Sequence, residues 1–327
     1  MTPTPKVLVG AALALALAGC GAAEAVVGLH DAPAQVTTTA PIAPDTAEQI
    51  ATRVLDQADE ASRATGDKAD ALRKQALTGS ALAVAEAAAK SEDGTSAADA
   101  PLTRSTPPKV LAVSRGTAWP RVMVVQTAGK DGATELNLLT SPDPATPFKL
   151  AASARMHPGA TVAALDSLRS GSPLVTDGAD LSVPPDKLVQ EYAGALAYPK
   201  ASPAPDVETG DPFALAVRAN AAAQAKSFGK LATLTQKHVP QPGTTAIRLK
   251  DGGALVFALM QRTDAITLSK GGKSLTASAD FQKLVRKKTL TRSAQLQTYE
   301  MVVFTVPAQG KAKMVAVDEV LSSAKGS

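Results

Sequence analysis

The sequence predicts an α+β fold in two successive units, each with N-terminal helices packed on a curved antiparallel sheet. Three observations carry that expectation. Apolar residues first recur every three or four positions and then every second position, and the chain makes this switch twice. Gly, Pro and Asp separate the β-branched and apolar runs as turn residues would. Helices followed by strands is the order of a segregated α+β fold rather than of alternating βαβ units. With 327 residues, 45% of them apolar, the chain can bury one or two cores of ordinary domain size.

The first nineteen residues read as an export signal. Lys6 supplies a short positive region, Val7 to Leu17 an apolar run, and Ala18 and Gly19 small residues before Cys20. The apolar run is shorter than the roughly 20 residues a membrane-spanning helix needs. Residues 20–45 then carry small residues punctuated by Pro and Thr, without periodicity, and read as a tether. Some 25 residues of such chain would hold a folded part on the order of 28 Å from its anchor. His30 lies in this tether and is not read as a ligand.

The first unit is expected over 46–183. Ile50, Val54, Leu55 and Ala58 share a helical face, and Ala69, Leu72, Ala76 and Leu77 do so again after a break at Gly66. A third, Ala-rich helix is expected over Ala81 to Lys90. Strands follow at Lys109 to Ser114, Arg121 to Thr127, Thr134 to Thr140 and Phe148 to Met156.

The second unit is expected over 184–327. Pro184-Pro185-Asp186 opens a helix through Leu196, and Asp211-Pro212, an N-cap followed by Pro at the first helical position, opens a longer one to about Leu234. Strands are expected at Thr245 to Leu249, Ala254 to Gln261, Ala265 to Ser269, Ser274 to Ala279, Ala294 to Val306 and Lys313 to Val317. Asp251-Gly252-Gly253 and Gly271-Gly272 read as hairpin turns. Thr65-Gly66-Asp67 and Thr209-Gly210-Asp211 stand at the second-helix entry of each unit, which agrees with a duplication.

Leu17-Ala18-Gly19-Cys20 resembles the lipobox of bacterial lipoproteins. That resemblance implies a diacylglycerol thioether on Cys20, cleavage of the Gly19-Cys20 bond, and residence on the extracytoplasmic face of the cell membrane. Two or three acyl chains hold a membrane stably where one is marginal. The order of elements resembles cystatin-like or NTF2-like architecture. The whole also resembles the tandem-domain lipoproteins of unknown function found in high-GC Gram-positive bacteria, a resemblance that implies no activity.

Charge divides the chain. Residues 211–327 hold 17 Lys and Arg against seven Asp and Glu, a net of +10; residues 21–210 hold 16 against 23, a net of −7. The densest basic run is Phe281 to Lys288, in which Lys283, Arg286, Lys287 and Lys288 are candidates for contact with an anionic lipid surface or wall polymer. An exported address and the lack of interleaved aromatics argue against nucleic acid.

Catalytic chemistry finds little support. One Cys excludes an intrachain disulfide and any multi-Cys metal site built by this chain alone. No GxSxG elbow, P-loop, HExxH or dinucleotide glycine pattern is present. His157 and His238 precede prolines and read as solvent-facing loop residues, so no metal, cofactor or catalytic residue is expected. Glu300 is the one acid on a mostly apolar strand face, with Leu296, Thr298, Val302, Phe304 and Val306, where it either lines a cavity or pairs with a base. Trp119 and Tyr299 read as packing residues. The sequence therefore predicts a non-enzymatic envelope lipoprotein acting by binding, with a carrier of an apolar ligand in a concave sheet as the alternative.

Overall fold

The computed structural model describes residues 38–66, 68–90, 104–129, 131–270, 272 and 274–327. Helix α1 (Pro44–Arg63) starts on a proline suited to the first turn and buries Ala47, Ala51, Val54, Leu55, Ala58 and Ala61 along one stripe. Gly66, at φ 74°, turns the chain into α2 (Ala69–Ala76), and α3 (Gly79–Ala88) follows. These helices cover one face of a four-stranded antiparallel meander, β1 (Lys109–Val113), β2 (Arg121–Ala128), β3 (Thr134–Ser141) and β4 (Lys149–Arg155).

The second half again sets helices ahead of strands in the chain and carries a larger sheet. Helices α4 (Pro185–Ala195) and α5 (Pro212–Phe228) precede β5 (Ala232–Pro240), β6 (Thr245–Arg248) and β7 (Ala254–Leu268). A short excursion follows through β8 (Leu275–Thr276), α6 (Ala279–Val285) and β9 (Thr289–Leu290) before β10 (Ser293–Val306) and β11 (Lys313–Gly326). The order across the main sheet is β11-β10-β7-β5, with β6 beside the first residues of β7.

Strand alternation decides the layering. In β2, Met123 and Val125 point to the helices while Val122 and Val124 point away. In β7, Val256, Ala258 and Met260 join the core under α4 and α5, and Leu255, Phe257 and Leu259 join Val122, Val124, Leu136 and Leu138 of the first sheet. The two sheets thus pack face to face with helices on both outer sides. Met156 bridges Ala316, and the His157 amide donates to the Val315 carbonyl at 2.9 Å, tying the end of β4 to β11. Residues Thr37–Ser327 form one compact unit.

The turns are those expected at Asp251-Gly252-Gly253. The Leu249 amide donates to the Gly253 carbonyl at 2.8 Å and the Gly253 amide to Asp251 Oδ1 at 2.9 Å. A Cβ at Gly253 would stand 2.7 Å from the Val306 carbonyl oxygen, so this position tolerates only glycine.

Four expectations need correction. The helix predicted to reach Leu234 stops at Phe228, where Gly229 adopts φ 53°, and Ala232 onward is β5. The two runs at 254–261 and 265–269 are one 15-residue strand, because β10 pairs along nearly its whole length while β6 flanks its apolar start and β5 its polar middle on the other side. The strand expected over Ser274 to Ala279 shrinks to Leu275–Thr276, while that beginning at Lys313 continues to Gly326 along β10.

Candidate functional site

Halfway along the second sheet, on its helix-facing side, the apolar surface is interrupted by a belt of charge. Alternation in β5 places Gln236 and His238 in line with buried Ala232 and Leu234. On β7, Arg262 lies opposite His238, and Asp264 opposite Gln236. On β10, Thr298 lies opposite Arg262, and Glu300 is two residues further on, opposite Glu319 of β11. One apolar cluster, with Met260, Val302, Tyr192 and Phe304, fills the space on one side of the belt; another, with Leu234, Ile266, Phe281 and Ala294, fills the other.

The belt is densely bonded. His238 Nδ1 is 2.7 Å from Glu300 Oε2, and both side chains are fully buried. A carboxylate there accepts the Nδ1 proton, which leaves His238 Nε2 facing the interior without a hydrogen-bond partner. Arg262 donates to Glu300 Oε1 at 3.0 Å, Glu319 Oε1 at 2.6 Å and Asp264 Oδ2 at 3.1 Å. Gln236 Nε2 donates to Asp264 Oδ1 at 2.7 Å, and its own Oε1 is buried and unpartnered.

Electrostatics follow from burial and neighbours. Burial lowers the Arg262 affinity for its proton, but Glu300, Glu319 and Asp264 together outweigh it and hold the guanidinium above its ordinary range. Burial pushes the Glu319 carboxyl up against the opposing pull of Arg262. Tyr192, behind the belt, donates to both oxygens of Asp211 at 3.0 and 2.9 Å, and burial with that negative charge drives its phenol far above the usual value. Asp211 also caps α5 by accepting the Ala214 amide at 2.8 Å.

The first sheet carries a smaller polar group on its own helix-facing side. Asn137 Nδ2 donates to Thr127 Oγ1 at 3.0 Å, and Thr127 donates to Glu135 at 3.4 Å. Burial raises the Glu135 carboxyl and also that of Asp59, which pairs with Arg104 at 3.0 Å.

Glu300 therefore pairs with bases rather than lining a cavity. His238, read as a loop residue, is a buried strand residue; its neighbours Val239 and Pro240 are exposed or half-buried, and only the inward turn of alternate positions hides it. His157 does follow a strand end, half-buried, with Nε2 3.1 Å from Met314 Sδ and its proton affinity lowered by burial. Trp119 is 39% exposed with the Arg121 guanidinium 5.0 Å over its ring, while Tyr299 packs between the sheets. Gln236 and His238 beside Leu234, and Glu135 and Asn137 beside Leu139, were the available signals for both polar groups: polar residues at inward alternate positions.

Of the anionic-surface candidates, Arg286, Lys287 and Lys288 are exposed just beyond α6; the Lys283 side chain and Cys20 lie outside the described residues. Among the described residues no group of three or more His, Cys, Asp or Glu is placed to hold a metal ion, and no helix is long and apolar enough to cross a membrane. A cleft of about 150 Å³ opens between the sheets beside Gly79, floored by Leu138, Ala152, Phe257 and Met301. No curated protein and no solved structure matches the chain. Residues 42–326, which hold both sheets and every helix described above, match the family described as "Domain of unknown function (DUF8094)", and the chain belongs to that family.

Proposed function

We propose that this protein is a lipoprotein anchored through Cys20 on the extracytoplasmic face of the cell membrane, and that it acts there by binding through its surface rather than by catalysis. The observation that carries the reading is the state of the His238-Glu300 pair. A histidine oriented by a carboxylate is the arrangement a general base needs, yet both side chains are fully buried and Arg262 occupies the second carboxylate oxygen. His238 Nε2 is itself buried without a hydrogen-bond partner, which supports a role for the pair in the fold. The carrier reading draws less support, since the intersheet cleft of about 150 Å³ falls below the roughly 300 Å³ at which small-molecule sites begin.

In this reading residues 46–183 and 184–327 are tandem units of cystatin-like or NTF2-like design, joined back to back through the faces that carry Val124 and Phe257. Duplication accounts for the repeated order of helices and sheet. The anchor is tested by metabolic labelling with a fatty-acid probe and membrane fractionation. The parent chain should label and sediment with membranes, and Cys20→Ala should do neither. Equal labelling of the two would overturn the anchor.

A further inference from the structure

The four long strands of the second sheet end together, and each end carries a cation. The Ser269 amide donates to the Leu231 carbonyl at 2.9 Å, which sets the start of β5 beside the end of β7. The Leu268 amide donates to the Arg292 carbonyl at 2.8 Å, and Ala294 pairs with Gly326, which brings the start of β10 and the end of β11 to the same edge. Lys230, Lys270, Arg292 and Lys325 occupy these termini, all exposed. Lys226 joins them from the last turn of α5. Arg286, Lys287 and Lys288 join from the end of α6, where Lys287 Nζ reaches the Gly326 carbonyl at 3.0 Å.

Among the described side chains no carboxylate is placed at this end; the carboxylate there is the C-terminal one of Ser327, which accepts the Thr291 and Arg292 amides at 2.9 Å. Elsewhere in the second half several cations are matched: Lys187 with Asp206 at 2.7 Å, Arg248 with Asp180 at 2.8 Å, and Arg262 within its belt. Asp211 and Asp251 are spent on a cap and a turn, and Asp264, Glu300 and Glu319 on the belt. Arg286 apart, none of the basic residues at this end pairs with a carboxylate among the described residues. Leu231, 51% exposed, stands between Lys230 and the turn that follows β7.

We propose that this end of the second sheet docks on an anionic phospholipid bilayer, with the cations at the headgroup phosphates and Leu231 entering the interface. A soluble polyanion would satisfy the charges but would gain nothing from an exposed leucine, whereas a headgroup layer rewards both. The proposal deepens the envelope-binding reading. It rests on the Cys20 anchor only for proximity, since a tether of some 25 residues keeps the folded part within reach of the same leaflet.

The test uses residues 37–327, which contain all four apolar clusters, form one compact unit and lack Cys20. Cosedimentation with phosphatidylcholine vesicles holding about one-third phosphatidylglycerol should show binding that falls steeply as salt rises from about 0.05 to 0.3 M. Each basic residue near such a surface contributes roughly fivefold, so the quadruple variant Lys230→Gln, Lys270→Gln, Arg292→Gln, Lys325→Gln should lose about a hundredfold or more in affinity. Replacing the exposed Lys200, Lys237 and Lys250 by Gln should leave binding near the parent level. Leu231→Ser should weaken binding to vesicles without changing its salt dependence.

Circular dichroism and urea midpoints check that each variant is folded. Equal binding to neutral vesicles, no binding at low salt, or a folded quadruple variant that binds like the parent would overturn the proposal. So would a Leu231→Ser variant that binds normally while a soluble polyphosphate competes, because the partner would then be a polymer. Failure of fatty-acid labelling at Cys20 would leave these outcomes intact, so the two readings fail separately.

Discussion

Replacing Arg262 by Met strands the carboxylates it holds, and their exposures decide how much that costs. An exposed ion pair contributes about 0–1 kcal/mol, whereas breaking a buried one costs about 3–5 kcal/mol because the remaining charge cannot rehydrate. Glu319 and Asp264 keep 39% and 18% of their side chains accessible and can recruit water. Glu300 keeps none, and retains only His238. The loss should therefore fall at the lower end, about 3 kcal/mol. With a urea dependence of about 3 kcal/mol per molar, the unfolding midpoint should drop by about 1 M. Removing both charges in Arg262→Met with Glu300→Gln should recover at least about 1 kcal/mol of that loss. The deficit should also shrink on acidification. Glu319 loses the Arg262 pull that opposes its burial, so its folded value rises further and the native state binds more protons than the unfolded one. Urea titrations of parent, single and double variants read all three effects. A single variant within about 0.3 M of the parent, or a double variant no more stable than the single, would refute the belt as a coupled network.

Two further outcomes follow from the same structure. Burial raises Asp59, Glu135 and Glu319 above their unfolded values, so the stability each contributes is full below that unfolded value, about pH 4, and is lost as pH rises through its folded value. On acidification from neutrality these three groups should raise the urea midpoint, opposed by His157, whose lowered proton affinity disfavours the native state there, and Glu135→Gln should remove part of the rise; a pH dependence that this substitution leaves unchanged would contradict the assignment. Chains cut between Ser167 and Pro184 should each keep helical and strand circular dichroism in the tandem-unit reading. Because Val122, Val124, Leu136 and Leu138 lose the cover of Leu255, Phe257 and Val303, the N-terminal piece should bind a hydrophobic dye and self-associate. A monomeric N-terminal piece that ignores the dye would mean the shared interface contributes little.

Much of the fold was legible because local periodicity and punctuation carry it. The stripe Ala47, Ala51, Val54, Ala58 can bury only as a helix, Asp211-Pro212 can only start one, and Gly252-Gly253 can only turn between strands. The alternation of β2 shows that the strand has two apolar faces, and hence that something must cover both. It does not say that the second cover is another sheet, because Val122 and Val124 read the same under a helix as under Phe257. Only the tertiary structure decided that pairing.

The polar belt was hidden for a related reason. Glu300 announced itself as one acid among apolar neighbours, but His238 sits 62 positions away in a segment whose inward residues, Gln236 and His238, make it read as the tail of a helix and a loop. Its strand state comes from pairing with β7, a nonlocal hydrogen-bond ladder that propensity cannot register. The basic end shows the same division. Composition alone determined that the C-terminal half carries an excess of positive charge, while Lys230, Lys270, Arg292 and Lys325, spread over 95 residues of chain, meet only because four antiparallel strands begin or end at one edge.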